Sequence, residues 1–162
     1  TAGGWKLMMH IEKKGFEMLQ QNLLKSKTVV QREMTTAISN SVKGIHLAAK
    51  NNVAVGARGD LKRSIMYHVD EENLVGVVGL DAPGRQYGIY VEKGTKPHWV
   101  PRAALERWAS QRGIPVFLVQ RAIARKGTKA QPFMMPAFTN NQAFVKRQFT
   151  TAHKKILEAF HG

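Results

Sequence analysis

A long helical stripe near the N-terminus, with one break near Lys27, constrains this chain most. From Phe16, apolar residues fall at Leu19, Leu23, Val30, Met34, Ile38, Val42 and Ile45. Most steps are three or four residues, the spacing that aligns side chains on one face of an α-helix. No proline interrupts the stretch, and its only glycines, Gly15 and Gly44, stand near its two ends. Continuous from Gly15 to Lys50, such a helix would run about 50 Å. A rod of that length needs a cover for its stripe, and the rest of the chain must supply one. The opposite face carries Lys25, Lys27, Arg32, Glu33 and Lys43 and reads as solvated. Residues 1–14 read as a strand or an arm.

Asn51 to Asp60, with Gly56 and Gly59, reads as a turn-rich joint. Strands are expected next. Leu61–Val69 and Leu74–Leu80 flank the acidic turn Asp70–Asn73, a hairpin signal. After a second turn at Asp81–Gly84, Tyr87–Val91 has the aromatic and β-branched content of a third strand. Beyond Pro97 and Pro101 two short helices are expected, Ala103–Gln111 and Val116–Arg125, forming a helical hairpin closed by Gly127. Gln131–Phe138 is apolar and holds Pro132 and Pro136, so it is expected to be extended. A final helix over 139–160 would present Phe144, Phe149 or Ala152, Ile156 and Phe160. The fold class expected is α+β: a small antiparallel sheet packed against a long N-terminal helix and a C-terminal helix, with a helical-hairpin insertion at about 97–128, all in one domain over 1–162.

Charge separates the possible partners. Lys and Arg number 25 against 11 Asp and Glu, a formal +14. Between Arg107 and Leu157 there are ten basic residues (Arg107, Arg112, Arg121, Arg125, Lys126, Lys129, Lys146, Arg147, Lys154 and Lys155) and no acid. Such a surface repels itself unless nucleic acid, an acidic membrane or acidic protein lies near. No run approaches the roughly 18 apolar residues of a membrane span, and no charged-then-apolar leader opens the chain, so it reads as soluble and cytoplasmic, with no membrane partner. Without cysteine there is no disulfide, thiolate zinc site or thiol nucleophile.

The common catalytic patterns are missing: no phosphate loop, no dinucleotide glycine fingerprint, no His-Glu-x-x-His and no Gly-x-Ser-x-Gly. The six histidines lack metal-ligand spacing, and the one acidic cluster, Asp70, Glu71 and Glu72, sits in a turn. Asp60 and His68 could meet across strands. Glu92, placed after an apolar strand, could pair with Arg63 or Lys93 and hold a loop. No catalytic residue, metal or cofactor is expected. Lys93-Gly94-Thr95-Lys96 recurs as Lys126-Gly127-Thr128-Lys129, an echo too short for a duplicated unit and better read as chance or shared turn chemistry.

Three segments are familiar in combination: Gly59-Asp60-Leu61-Lys62-Arg63-Ser64-Ile65, then Tyr90-Val91-Glu92-Lys93-Gly94-Thr95, then Gln131-Pro132-Phe133-Met134-Met135-Pro136-Ala137. In this order, over about residues 10–160, the chain resembles the neck and tail-completion proteins of tailed bacteriophages, which are minor tail components. Two departures stand out: Arg58 where the family carries Thr, and the length of the 97–128 insertion.

The resemblance implies a structural virion protein without enzymatic activity, assembled in the host bacterial cytoplasm and forming a homo-oligomeric ring, read as sixfold, at the head-tail junction or upper tail. The implied neighbours are connector or stopper, tail-terminator and tail-tube proteins, with viral DNA passing through the channel. The motif residues Gly59, Leu61, Ser64, Ile65, Tyr90, Glu92, Gly94, Thr95, Pro132, Phe133 and Pro136 take structural roles. The ten cations between Arg107 and Lys155 are candidates for facing DNA or a partner, or for solvating helix faces. Phe133, Met134 and Phe138 read as core or interface, and Met8, Met9, Met134 and Met135 as adaptable contacts or core. The alternative function is a basic nucleic-acid-binding protein that uses its C-terminal half on phosphates.

Overall fold

The computed structural model describes residues 13–53 and 59–161. Expectations for residues 1–12, including Met8 and Met9, and for Arg58 lie outside them. Helix α1 spans Lys13–Asn52, about 60 Å of rod. It is followed by α2 (Asp60–Ser64), β1 (Ile65–Asp70), β2 (Val75–Leu80), α3 (Gly84–Lys93), α4 (Arg102–Ser110), α5 (Val116–Lys126), α6 (Met134–Asn140) and α7 (Gln142–His161). The class is α+β, as the sequence implied: a small antiparallel sheet, a long first helix, a C-terminal helix and a helical hairpin between them.

The C-terminal half of α1 organises the body. Ala37, Ile38, Val42 and Ala49 are buried along it, with Val53 just beyond its end. The β1–β2 hairpin, α6 and α7 all pack along it. Strand register runs from Ile65 opposite Leu80 to Asp70 opposite Val75. Pleating therefore puts Ile65, Tyr67, Val78 and Gly76 on the face turned to α1. There the His46 ring meets Tyr67 edge-on at 5.0 Å, and His46 Nε2 lies 3.0 Å from the Ile65 carbonyl. Gly76 lets the helix close in, since a Cβ there would stand 2.5 Å from Val42 Cγ1. Gly44 does the same for α7, where a Cβ would stand 2.7 Å from Phe144 Cε1.

Three expectations are corrected. First, Leu61–Ser64 is helix, and the strand begins at Ile65. Second, Tyr87–Val91 is not a strand, so the sheet has two strands. It belongs to α3, whose buried Gly84 and Gly88 seat it against Ser64, Leu61 and Leu80. Tyr87 and Val91, four residues apart, turn to the core, while Ile89 and Tyr90 face outward. Tertiary packing has overridden β propensity. Third, the Pro132–Pro136 stretch is not extended throughout, because α6 starts at Met134. Pro136 is its third residue, where the amide would have no intrahelical partner.

α4 and α5 pack chiefly on each other and form the expected helical hairpin. The arm joins the body through a short antiparallel bridge between Thr95 and Thr128.

Candidate assembly surface

The three motifs converge on one knot. Leu61, Ile65, Phe133 and Ala137 are buried together with Ala49 and Val53, and Phe133 and Ile65 are the largest fully enclosed side chains. Gly59 precedes α2 with φ 67°, a left-handed conformation that suits glycine. Ser64, also buried, donates from Oγ to the Asp60 carbonyl at 2.7 Å and accepts the Gly84 amide at 3.1 Å. Its own carbonyl accepts the Asp81 amide. One hydroxyl thus ties α2 to the start of α3.

Glu92 joins the second motif to the third. Its carboxylate accepts the amides of Phe133 at 2.7 Å, Met134 at 3.0 Å and Met135 at 2.9 Å. These are the free donors of the first turn of α6. Pro136 carries no amide, and Ala137 donates back to the Phe133 carbonyl. Every donor of that helix end is accounted for. Burial pushes the Glu92 carboxyl up, but the three amides outweigh it and hold the group below its ordinary range. The expected partner Arg63 is on Asp60 instead, which leaves Asp60 directed at Arg63 rather than His68. Beside this knot Pro132 is exposed, Pro136 half-buried and Tyr90 exposed.

The echoed tetrapeptides pair with each other. Thr95 and Thr128 exchange backbone hydrogen bonds at 3.1 and 3.2 Å, and their hydroxyls meet at 2.9 Å. Gly94 (φ 73°, ψ −178°) and Gly127 (φ 71°, ψ −161°) end α3 and α5 in the same glycine-only conformation. Shared turn chemistry explains the echo: two identical helix exits meet and clasp the arm.

What remains outward is basic and apolar. All ten candidate cations between Arg107 and Lys155 are exposed. Arg112 stacks on the Trp108 ring at 4.3 Å, and Lys155 Nζ reaches Glu33 at 3.3 Å. The other eight make no ion pair among the described residues. They are not one patch, because they divide between the arm and α7. Sequence reading missed Glu33, which is buried rather than solvated and is held by Lys155 and Arg32. Burial raises its carboxyl, and those two hydrogen bonds bring it net below the ordinary range. Its spacing of four to buried Ala37 and of eight to buried Ser41 was the available signal.

Apolar exposure is the larger surprise. Among the described residues eleven apolar side chains are buried, five of them alanine, while sixteen large ones are exposed. The exposed set includes Met66 and Val77 on the outer hairpin face, Trp99, Phe117 and Leu118 on the arm, and Met135 and Phe138 beside the knot. Phe133 is therefore core, Met134 partly so, and Phe138 surface.

The described residues hold no group of three His, Asp or Glu able to bind a metal. A shallow depression of about 230 Å³ is lined by Asp60, Arg63, Ser64 and Asp81. Both of its carboxylates are occupied, by Arg63 and by the Ala82 amide. No described helix is long and apolar enough to cross a membrane. No family model, curated protein or solved structure matches this chain.

Proposed function

We propose that the chain is a structural subunit of a tailed-bacteriophage neck or upper tail, acting in tail completion by forming a homo-oligomeric ring between connector and tail proteins. The observation that carries this reading is the imbalance between a small core and many large apolar side chains left uncovered. A chain that worked alone would hide such residues, whereas a ring subunit offers them to neighbours. The three-motif resemblance supplies the assembly, and the knot built by those motifs supports it, since their residues act as fold determinants. The test is imaging and mass measurement of the purified chain, alone and with connector and tail-tube proteins. Rings or joined particles are expected. A solitary species with no affinity for either partner would overturn the reading.

A second reading, binding to nucleic acid, is favoured by the nine exposed cations of the ten on the arm and α7 that make no ion pair among the described residues. It predicts DNA binding whose logarithm falls linearly with that of salt, by about 0.9 per phosphate neutralised. Absence of binding at low salt would remove it.

A further inference from the structure

The ring reading does not say which surfaces meet, and two uncovered faces on different elements bear on that. One is the outer face of the β1–β2 hairpin. Met66, Val75 and Val77 stand on it, 52%, 47% and 53% exposed. Gly79, opposite Met66, has open space where a side chain would be, which leaves a flat floor. From Ile65 to Leu80 the chain carries Asp70, Glu71 and Glu72 and no Lys or Arg. Asp70 is spent on the turn, accepting the Glu72 and Asn73 amides. Glu71 and Glu72 remain exposed, with their side chains in no ion pair among the described residues.

The other face is the outward side of α5. Phe117 (60% exposed), Arg121 and Arg125 follow at steps of four, with Leu118 alongside. The flank of α5 beside Phe117 is turned inward, with Gln120 buried and donating to the Val100 carbonyl at 2.9 Å. The arm from Lys96 to Lys129 holds eight Lys or Arg and a single acid, Glu106, which Arg102 already engages.

We propose that α5 of one copy lies on the outer hairpin face of the next, Phe117 and Leu118 meeting Met66, Val75 and Val77, and Arg121 and Arg125 meeting Glu71 and Glu72. The occupant is a second copy because each face supplies what the other lacks. Both carry exposed apolar side chains, one in a row with His68 and Asp70 and flanked by Glu71 and Glu72, the other flanked by cations in a domain that otherwise repels itself. The two faces differ, so the contact is head-to-tail and an open assembly keeps one free face of each kind, at its two ends. That arrangement propagates until it closes on itself as a ring. The inference rests on the ring reading and adds the surfaces that build it.

Charge exchange tests it. E71K/E72K and R121E/R125E change exposed residues only, and circular dichroism should match the parent. Each variant alone should require at least about a hundredfold higher concentration to assemble, by native mass spectrometry or light scattering, because like charges now face each other. Mixed in equal amounts, the two should reassemble, since acidic arm meets basic hairpin and basic arm meets acidic hairpin. Phe117→Ala should weaken assembly without altering charge. Variants that assemble like the parent, or a mixture that stays monomeric, would overturn this contact and leave the ring reading standing. A parent chain that stays monomeric at the highest attainable concentration would overturn both.

Discussion

The carboxylate of Glu92 accepts the Phe133 amide at 2.7 Å, across forty-one residues of sequence. The same group also takes the amides of Met134 and Met135, so one side chain serves the free donors of α6 and anchors the helix that buries Phe133. Glu92→Ala would leave three amides without their acceptor. It should destabilise the chain by about 2–3 kcal/mol, above an ordinary capping loss. Glu92→Gln, which keeps one acceptor oxygen, should cost about 1 kcal/mol. Denaturant unfolding of both variants checks the order, and equal, negligible losses would show that water replaces the carboxylate.

Acid should unfold the protein partly through the same group. Glu92, Asp70 and Glu33 are all held below their ordinary range: Glu92 by three amides against opposing burial, Asp70 first by the Asn73 side chain, and Glu33 by Arg32 and Lys155 against opposing burial. A carboxyl with a depressed folded value contributes stability that is present above its unfolded value, here 4.5 for Glu92. That contribution is lost as the pH drops below this point and through the folded value. Stability should therefore fall as the pH drops below about 4.5, and Glu92→Gln should flatten that fall. Unfolding midpoints measured from pH 7 to 3 give the comparison, and parallel curves would exclude Glu92 as a contributor.

How much of this was legible depends on where the signal lived. The stripe from Val30 to Ile45, the Asp70–Asn73 turn and the Gly127 stop after Val116–Arg125 are local, and each fell in the element expected. Tyr87–Val91 misled because its aromatic and β-branched residues suit either element. The deciding facts are Gly84 and Gly88 meeting Ser64 and Leu80, which are contacts between segments. Pro132 and Pro136 misled because proline excludes a helix interior but not a first turn. The Glu92 cap had no local mark at all. Motif order pointed to Phe133 without saying that an acid forty-one residues earlier would hold it. For the cations, positions were legible but grouping was not, and only the fold separates Arg121 on the arm from Lys154 on α7.

The clasp at the base of the arm should be sensitive to any side chain at its glycines. Gly94 and Gly127 both have positive φ with extended ψ. A Cβ on Gly94 would stand 2.5 Å from the Thr128 carbonyl oxygen, and one on Gly127 would collide with the Thr95 carbonyl. Both obstacles are backbone, which cannot rotate away. Gly127→Ala should cost at least about 2 kcal/mol from strain and collision together. Thr95→Val, which removes the hydroxyl that meets the Thr128 hydroxyl and accepts the Thr128 amide at 3.0 Å, should cost about 1 kcal/mol. Limited proteolysis should cut the alanine variant at residues 96–100 while the α1 body stays intact. Cleavage no faster than in the parent would show that the bridge does not hold the arm.

Two glycines of β2 allow a matched test of the helix–hairpin packing. Gly76 faces α1, where an added Cβ would lie 2.5 Å from Val42 and 2.7 Å from Ile38. Gly79 lies on the outer face with nothing within 4 Å. Both sit in the same strand, so the change in backbone entropy and β propensity is similar for the two and cancels in the comparison. Gly76→Ala should destabilise by about 1–3 kcal/mol, because the helix or strand must shift to admit a methyl. Gly79→Ala should fall within about 0.5 kcal/mol of the parent, or slightly above it through reduced freedom of the unfolded chain. Thermal unfolding of the two variants side by side reads the difference, and equal midpoints would mean that α1 does not rest on this face of the hairpin.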